Sequence, residues 1–220
     1  MGLRRSLVVI DDHPLYRHGV SDLIRQELHM ELAGEAGSYE EACDLLGRIV
    51  PDLVIVDISL QGKNGLDLVK KIKLEHPSAT TLVVSMHDEN LYGERALLAG
   101  ARGYVMKHEP PSVLIAAVES VLHGRLAVSE ALRERMLEAR VGGIQSDDPV
   151  RTLSDRELEV FRRIGEGCGA NEIAEMLHLS IKTVNAYRDH IKRKLQFTSA
   201  AELRKYAVEW GVSTKNVKLP

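Results

Sequence analysis

The chain has 220 residues, which is the length of one large domain or two ordinary ones. Its hydrophobic fraction of 44% and its charged fraction of 28% are typical of a globular protein and exclude a disordered chain. The formal charge of −3 is unevenly divided, because residues 1–149 carry 16 Lys and Arg against 23 Asp and Glu, whereas residues 150–220 carry 13 against 9. The C-terminal part is therefore the part suited to a polyanion.

The cysteines and the N-terminus exclude two further classes of protein. Cys43 and Cys168 have no second cysteine or histidine at ligand spacing, so the sequence predicts neither a disulfide framework nor a zinc site. The apolar run Leu7–Ile10 is too short for a signal peptide or a membrane span. We therefore expect a cytoplasmic protein that has no membrane partner.

The first 125 residues alternate short β-branched apolar runs with longer segments of helical period, which is typical of a parallel sheet covered by helices. The predicted strands are Leu7–Ile10, Met30–Ala33, Leu53–Val56, Thr81–Val84 and Gly103–Met106. The signals for the five helices are Pro14, a capping box of Ser38 and Glu41, the break Asn64-Gly65, and the stretches Glu89–Ala99 and Pro111–His123, which end at Gly100 and Gly124. Five β/α units predict a doubly wound open sheet with its ligand site at the carboxyl ends of the strands.

The rest of the chain consists of two parts with different sequence patterns. Residues 125–149 contain a charged helical stretch, Glu130–Arg140, and then the turn formers of Val141–Pro149, so they are predicted to be a partly helical linker. From Leu153 the chain is helical, with breaks at Gly165–Gly169, His178–Ser180 and Phe197–Ser199. The predicted organisation is an α/β domain over residues 1–124, the linker, and a small all-α four-helix domain over residues 150–220.

Carboxylates stand where two of the apolar strands end. Asp11 and Asp12 follow the first predicted strand, and Asp57 follows the third. Three carboxylates at one edge of a parallel sheet repel one another unless a hard cation lies among them. Mg²⁺ is the expected cation, because it prefers oxygen ligands and commonly bridges to phosphate.

Two more strand ends supply groups that suit a phosphoryl oxygen. Ser85 offers a hydroxyl after the fourth strand, and Lys107 offers a cation after the fifth. Each of these groups alone is usually a turn former or a solvated side chain. Together they predict a site in which Asp57 is the nucleophile, while Mg²⁺ and Lys107 neutralise the charge of the transferring group.

The sequences VVIDDHPLYRHGV, DLVIVDISLQGKNGL, VVSMHD and GARGYVMKH resemble the receiver domain of bacterial two-component response regulators of the NarL/FixJ type, over about residues 5–124. The resemblance implies a flavodoxin-like (β/α)5 fold in which a sensor histidine kinase phosphorylates Asp57. The residues implied to hold Mg²⁺ are Asp12, Asp57 and Ser59 through its backbone carbonyl, with Asp11 acting through water, and the implied switch pair is Ser85 and Tyr104. Leu60-Gln61 and Lys63 depart from the usual Met-Pro and apolar residues, which affects loop shape and the lifetime of the aspartyl phosphate.

The segment LSDRELEVFRRIGEGCGANEIAEMLHLSIKTVNAYRDHIKRKL has the spacing of a helix-turn-helix. Ile173, Ala174 and Leu177 fall on one short helix, and Val184 and Ile191 fall on the next. Ser180 can cap this second helix, which carries five cations (Lys182, Arg188, Lys192, Arg193 and Lys194) against Asp189. A helix so basic suits phosphate contacts and the major groove, although a solvated basic face has the same charge.

The same segment resembles the LuxR-type DNA-binding domain over residues 150–212, with the two-helix motif at about Asn171 to His190. The residues expected to contact DNA are Lys182, Thr183, Asn185, Arg188 and Lys192. Asn185 or Arg188 would read base edges, and Lys192 would hold a phosphate. Asn185 and Tyr187 replace the Lys and His of many members, so the preferred DNA sequence is expected to differ.

Together the two parts predict a response regulator and transcription factor whose phosphorylation at Asp57 controls binding to double-stranded DNA. The expected change draws Ser85 inward and lets Tyr104 fill the vacated space, which alters the face built from the fourth helix, fifth strand and fifth helix. The resemblance implies one of two consequences. Either the receiver releases a recognition helix that it had masked, or the phosphorylated protein forms a homodimer that matches two DNA half-sites. RNA polymerase is a further candidate partner.

Two other functions use the same features. A phosphatase of the haloacid dehalogenase type also has a nucleophilic Asp and Mg²⁺, but it needs a second Asp two residues later, where this chain has Ser59. We therefore expect no enzyme beyond a receiver that catalyses its own phosphorylation and dephosphorylation. The other alternative is a constitutive dimerisation or ligand-sensing domain, in which the acidic cluster would have lost its role.

Overall fold

The structure is a computed structural model, which describes residues 4–60, 63–142 and 148–216. The chain divides into two compact units, Met1–Gln145 and Ser146–Pro220. No helix in the described ranges is long and apolar enough to cross a membrane. Gln61 and part of the predicted linker lie outside the described residues.

The first unit is built on a parallel five-stranded sheet. Its strands are β1 (Ser6–Ile10), β2 (Glu31–Ala36), β3 (Leu53–Val56), β4 (Thr80–Ser85) and β5 (Gly103–Met106). Their spatial order is β2-β1-β3-β4-β5, so the chain adds β2 on one side of β1 and then β3, β4 and β5 on the other side. This is the flavodoxin-like doubly wound order, which confirms the predicted fold class and places the ends of β1, β3, β4 and β5 along one edge.

Five helices connect and cover the strands. They are α1 (Pro14–Leu28), α2 (Tyr39–Leu46), α3 (Gly65–Glu75), α4 (Glu89–Ala99) and α5 (Pro111–Leu122). Helices α1 and α5 pack on one face, where the apolar core includes Val20, Ile24 and Val118. Helices α2, α3 and α4 follow one another across the other face.

Several helix ends follow the predicted sequence signals. The left-handed φ of 123° at Gly100 ends α4, because residues with a Cβ rarely adopt that conformation. Ser38 caps α2 by accepting a hydrogen bond from the Glu41 N–H, as predicted. The reciprocal half of the capping box is wrong, because the Glu41 carboxylate accepts the Gly37 N–H at 2.7 Å instead of the Ser38 N–H.

The chain after α5 remains attached to the first unit. Ala127 forms a parallel bridge with Gly103, and the Tyr104 N–H donates to the Ala127 carbonyl at 2.8 Å. The charged stretch then forms helix α6 (Glu130–Gly142), where Leu132 is buried against Gly93 of α4. The first part of the predicted linker is thus an ordered extension of the sheet edge and of α4.

The second unit is all-helical. A single 3₁₀ turn, Pro149–Thr152, precedes α7 (Asp155–Gly165), α8 (Ala170–Met176), α9 (Ile181–Lys194) and α10 (Ala200–Asn216). The four predicted helices are therefore found, although α10, with 17 residues, is long. Phe161 forms the aromatic centre of the unit, with its ring centroid 5.4 Å from that of Trp210 and 6.0 Å from that of Tyr206.

Candidate functional site

The strand ends bring three of the predicted side chains together. Asp11 follows β1, Asp57 follows β3 and Lys107 follows β5, and all three side chains are almost completely buried. Lys107 Nζ lies 2.7 Å from Asp11 Oδ2 and 2.7 Å from Asp57 Oδ2. One ammonium group therefore holds two carboxylates that would otherwise repel each other across the sheet edge.

Burial and charge shift the pKa values at this site. Burial raises the pKa of Asp57 and the Asp11 carboxylate adds to the rise, whereas the Lys107 ammonium and the Ser85 hydroxyl lower it in part. For Lys107, burial favours the neutral amine, but the Asp57 and Asp11 carboxylates outweigh it and hold the pKa above its usual range. Lys107 is therefore a permanent cation beside Asp57.

Tyr16, which the sequence analysis did not select, completes the surroundings of this cation. Lys107 Nζ lies 4.7 Å from the centroid of the Tyr16 ring, which is the geometry of a cation–π contact. Burial, together with the charges of Asp11 and Asp57, raises the pKa of Tyr16 to about 12. The neutral ring thus limits the directions in which the Lys107 side chain can move.

The donor set at this edge fits a divalent cation. Ligand atoms of Asp11, Asp12, His13 and Asp57 all lie within 4.8 Å of one another. In the described part of the chain, no hydrogen-bond donor reaches Asp57 Oδ1, which is buried. An unpaired buried carboxylate oxygen is costly, and a bound cation would remove that cost. The cluster therefore suits a divalent cation bound through carboxylates.

The loop after Asp57 approaches its backbone closely. A Cβ placed on Gly65 would lie 1.9 Å from the Asp57 carbonyl oxygen, so only glycine fits there. Ser59 pairs with Asn64 through an antiparallel bridge, which closes the loop. The Ser59 hydroxyl lies 3.0 Å from His87 Nε2, which links this loop to the segment after β4.

Ser85 and Tyr104 are both buried near Asp57. The Tyr104 hydroxyl donates to the His87 carbonyl at 2.7 Å, and only 2% of Tyr104 is exposed. The ring already fills the buried space in this conformation, and its movement on phosphorylation stays a prediction. The physical reason for this buried position is that the His87 carbonyl satisfies the phenol without any phosphoryl group.

Arg17 is another contributor that the sequence analysis missed. Its guanidinium donates to the Asp11 carbonyl, and its Nε lies 3.9 Å from Glu35 Oε2. Glu35 also accepts a hydrogen bond of 2.6 Å from the Ser21 hydroxyl. The signal was the position of Pro14, because a helix that starts directly after Asp11-Asp12-His13 must place its first turn at the strand edge.

The second unit places α8 and α9 as a helix-turn-helix. Ser180 caps α9 by accepting the Thr183 N–H at 3.0 Å, and Val184 and Ile191 bury one face. The residues expected to contact DNA divide into an exposed pair, Lys182 and Asn185, and a half-buried set, Thr183, Arg188 and Lys192. The Thr183 hydroxyl is engaged with Ser180 Oγ at 2.7 Å, and Lys192 Nζ lies 2.9 Å from Asp189 Oδ1.

Comparison with known families decides the class of protein. The family model of the response regulator receiver domain matches residues 7–119, and that of bacterial regulatory proteins of the luxR family matches residues 151–207. The chain belongs to the LuxR-family response regulators. It is therefore a response regulator that acts as a transcription factor, as the sequence predicts.

Known relatives cover the same two parts. The oxygen regulatory protein NreC of Staphylococcus epidermidis is 35% identical over 211 residues, which are 93% of this chain and 97% of that protein. The solved response regulator RcsB of Salmonella typhimurium is 25% identical with a TM-score of 0.66, over 94% of this chain and 98% of the other. A structure of two RcsB dimers bound to two parallel DNAs is 26% identical with a TM-score of 0.56, over 93% and 98%.

Proposed function

We propose that Asp57 accepts a phosphoryl group from a sensor histidine kinase and that this modification controls DNA binding by the second unit. The observation that carries the proposal is that the two carboxylate oxygens of Asp57 have different surroundings. Oδ2 is held by Lys107 at 2.7 Å, whereas Oδ1 is buried without a donor among the described residues. Oδ1 is then open to the cation, whereas Oδ2 would act as the nucleophile once Lys107 turns to the phosphoryl group.

Each neighbouring group has a separate task in this proposal. Asp11, Asp12, Asp57 and the Ser59 carbonyl would hold Mg²⁺, which supplies charge neutralisation for the phosphoryl group when it is bound. Lys107 would turn from Asp11 and Asp57 to a phosphoryl oxygen, guided by the ring of Tyr16. The Ser85 hydroxyl, which already acts on the Asp57 carboxylate, would donate a hydrogen bond to another phosphoryl oxygen.

The switch follows from the buried position of Tyr104. A phosphoryl group that holds Ser85 would stabilise this position, and the unphosphorylated protein would also populate states in which the ring leaves it. The Tyr104 N–H donates to the Ala127 carbonyl, so in this proposal a backbone shift at Tyr104 would move the segment that leads into α6. Phosphorylation would thus reach the chain between the units through a backbone hydrogen bond.

The output in this proposal is specific binding of double-stranded DNA. Lys182 and Asn185 stand three residues apart on α9, so they share one face that is opposite the buried Val184 and Ile191. Asn185 or Arg188 would read base edges, whereas Lys182 and Lys192 would contact phosphates. Thr183 would orient the N-terminus of α9 through its bond to Ser180, and its backbone N–H is already used by the cap.

Assembly and location complete the proposal. The dimers of RcsB on DNA support a homodimer of this protein on DNA, which we assign to its phosphorylated form. RNA polymerase is a candidate partner at the promoter. We place the receiver at residues 1–124, the linker at 125–149 and the DNA-binding domain at 150–220, in the cytoplasm. A phosphatase is not favoured, because the residue two positions after Asp57 is Ser59, whose hydroxyl contacts His87.

The test compares Asp57→Asn with Asp52→Asn in the full chain. Asp52 is an exposed carboxylate at the other end of β3, where it binds Ser6, so it is a matched control. With acetyl phosphate and Mg²⁺, intact-mass spectrometry should show one phosphoryl group on the wild type and on Asp52→Asn, and none on Asp57→Asn. A gel shift at fixed salt should show stimulated DNA binding for the same two proteins only. Equal stimulation of Asp57→Asn would contradict the proposal.

A further inference from the structure

The aromatic ring of Tyr16 is held in place independently of the ammonium group that it contacts. Tyr16 is half-buried in the first turn of α1, and its ring packs against the apolar core of the first unit. The next residue, Arg17, donates from its guanidinium to the Asp11 carbonyl, which ties this turn to the end of β1. The ring is therefore a fixed surface at the edge of the sheet, 4.7 Å from Lys107 Nζ.

The ammonium group of Lys107 has three N–H donors and contacts on several sides. Two sides are occupied by carboxylates, because Asp11 Oδ2 and Asp57 Oδ2 each lie 2.7 Å from Nζ. The face of the Tyr16 ring lies on another side, where its π electrons attract the cation. The side chain of Lys107 is almost completely buried as a result.

Phosphoryl transfer changes these contacts unequally. In the proposed function, Asp57 Oδ2 forms a bond to phosphorus while the bond from phosphorus to the leaving oxygen of the donor breaks, and that oxygen leaves with the electron pair. Lys107 then turns from the carboxylates to a phosphoryl oxygen, so its ion pairs are temporary. The contact with the Tyr16 ring involves none of the reacting atoms, so it can persist throughout the step. Because a lysine side chain is flexible, a contact that persists decides where its ammonium group points.

We propose that Tyr16 is a positioning residue for Lys107, whose ring directs the ammonium group toward the phosphoryl oxygens and so accelerates both the gain and the loss of the phosphoryl group at Asp57. The inference rests on the proposed function, because both rates belong to the same phosphoacceptor site. In hydrolysis, a water oxygen forms the bond to phosphorus and the bond to Asp57 Oδ2 breaks, which releases the carboxylate. The water protons remain on the released phosphate or pass to solvent. The phosphoryl oxygens carry negative charge in both steps, so one well-placed cation stabilises both transition states.

The kinetic experiment compares Tyr16→Leu with Tyr16→Phe in the full chain. Phenylalanine keeps the ring, whereas leucine keeps only an apolar contact with the core. The matched control is Leu23→Ala, because Leu23 lies on α1 about two turns away and packs against the same core. With acetyl phosphate and Mg²⁺, intact-mass spectrometry should show that Tyr16→Leu gains and loses the phosphoryl group about tenfold more slowly, with a plateau near that of the wild type. Tyr16→Phe and Leu23→Ala should keep the wild-type rates.

A second measurement needs neither Mg²⁺ nor a phosphoryl donor. Protons that lie over the face of an aromatic ring resonate upfield of their ordinary position. The Cε protons of Lys107 should therefore show an upfield shift in nuclear magnetic resonance spectra of the wild type and Tyr16→Phe, but not of Tyr16→Leu. The same resonance position in all three proteins would contradict the contact on which the inference depends.

Three kinetic results would overturn the inference. The first is an unchanged pair of rates in Tyr16→Leu. The second is faster hydrolysis with unchanged phosphorylation in Tyr16→Leu, which would mean that the ring only excludes water. The third is equal slowing in Tyr16→Phe, which would assign the effect to the hydroxyl group. Any of these results with a phosphorylated wild type contradicts this inference alone, whereas a wild type that gains no phosphoryl group contradicts the proposed function as well.

Discussion

Asp57 combines reactivity with a cost in stability. Its burial raises its pKa more than Lys107 lowers it, so the ionised form is less stable in the folded protein than in water. Such a group is tolerated where function needs it, and strongly perturbed carboxylates are concentrated at functional sites for this reason. The surrounding residues, above all Lys107 and Gly65, therefore have to position Asp57 without removing its reactivity.

Gly65 provides the first prediction at the residue scale. In Gly65→Ala, the new Cβ would meet the Asp57 backbone at 1.9 Å, so the loop must move away. We expect a loss of about 1–3 kcal/mol in unfolding free energy, together with slower phosphorylation from acetyl phosphate. Gly19→Ala is the control, because Gly19 lies exposed in α1 with no described atom within 4 Å of its Cβ position. It should stabilise the protein by about 0.5–1 kcal/mol. Equal effects of the two substitutions would contradict the steric argument.

Glu157 provides a prediction in the second unit. Its carboxylate accepts the Ser154 N–H at 2.8 Å in a capping box and lies 2.6 Å from Lys194 Nζ. Burial favours its neutral form, but Lys194 and Ser154 outweigh burial and hold the pKa below its ordinary value of 4.5. Glu157→Gln should therefore cost about 1–2 kcal/mol at neutral pH. Trp210, the single tryptophan of the chain, reports the unfolding of this unit.

The pH dependence follows from the sign of this shift. A carboxylate whose pKa is lowered on folding adds stability at pH values above its unfolded pKa, and it loses this contribution as the pH falls through the folded value. The difference between the wild type and Glu157→Gln should therefore be constant near neutrality and shrink below about pH 4.5. Glu175→Gln, at an exposed position of α8, is the control and should have almost no effect on stability.

At the scale of elements, the sequence predicts the order of strands and helices better than their ends. Buried runs such as Leu53–Val56 have the predicted bounds because apolar residues define them on both faces. The second strand was predicted as Met30–Ala33 but spans Glu31–Ala36. Its C-terminal end is set by pairing with β1, and this pairing has a register shift between Leu7 and Val8. Such pairing depends on a partner strand distant in sequence, so local composition does not determine it.

The docking of α6 is a tertiary effect of the same kind. The charged stretch predicts a helix, but its docking depends on Leu132, which is the buried side chain among residues 130–138 and fills the space left by Gly93. Two polar contacts assist: the Ser129 N–H donates to Glu89 Oε1 at 3.0 Å, and Arg135 donates to Asn90 Oδ1 at 2.7 Å. None of these pairs has a sequence signal, because the partners are about forty residues apart.

Leu132→Ala tests this attachment. Removing the buried side chain should leave a cavity against Gly93 and weaken the docking of α6 by about 2–3 kcal/mol. Hydrogen exchange should then be faster for the amides of α6, while those of the central strand β3 keep their protection. Leu137→Ala is the control on the same helix, because Leu137 is 57% exposed. If α6 exchanged equally fast in both variants, Leu132 would not be its anchor.

For the whole molecule, the sequence predicts the members of the site but not all of their contacts. Asp11, Asp57 and Lys107 converge because parallel strands end at one edge, which is a rule of topology. The contacts of Tyr16 and Arg17 depend on how α1 lies against that edge, which only the packed structure shows. The charge difference between the parts of the chain likewise indicates a polyanion partner, but the exposed face of α9 shows which cations can reach it.

The DNA interface gives the prediction that connects this charge to function. Lys182 is exposed and is expected to contact phosphate, whereas Asn185 is expected to contact a base edge. Lys182→Gln should lower affinity for all DNA sequences alike. It should also reduce the magnitude of the slope of log K against log salt by about 0.9, because one fewer phosphate is neutralised and fewer counterions are released on binding. Lys70→Gln, an exposed cation of α3 paired with Asp67, is the control and should leave the slope unchanged.

Asn185→Ala should behave in the opposite way, because a base contact carries sequence information and little charge. Its salt slope should equal that of the wild type, while the preference for the cognate site over a site with one changed base pair falls by about 1–3 kcal/mol at the contacted position. Fluorescence anisotropy titrations at several salt concentrations measure both quantities on the phosphorylated protein. If Lys182→Gln changed the sequence preference and Asn185→Ala changed the salt slope, the two residues would have exchanged roles, and α9 would lie in the groove in another orientation.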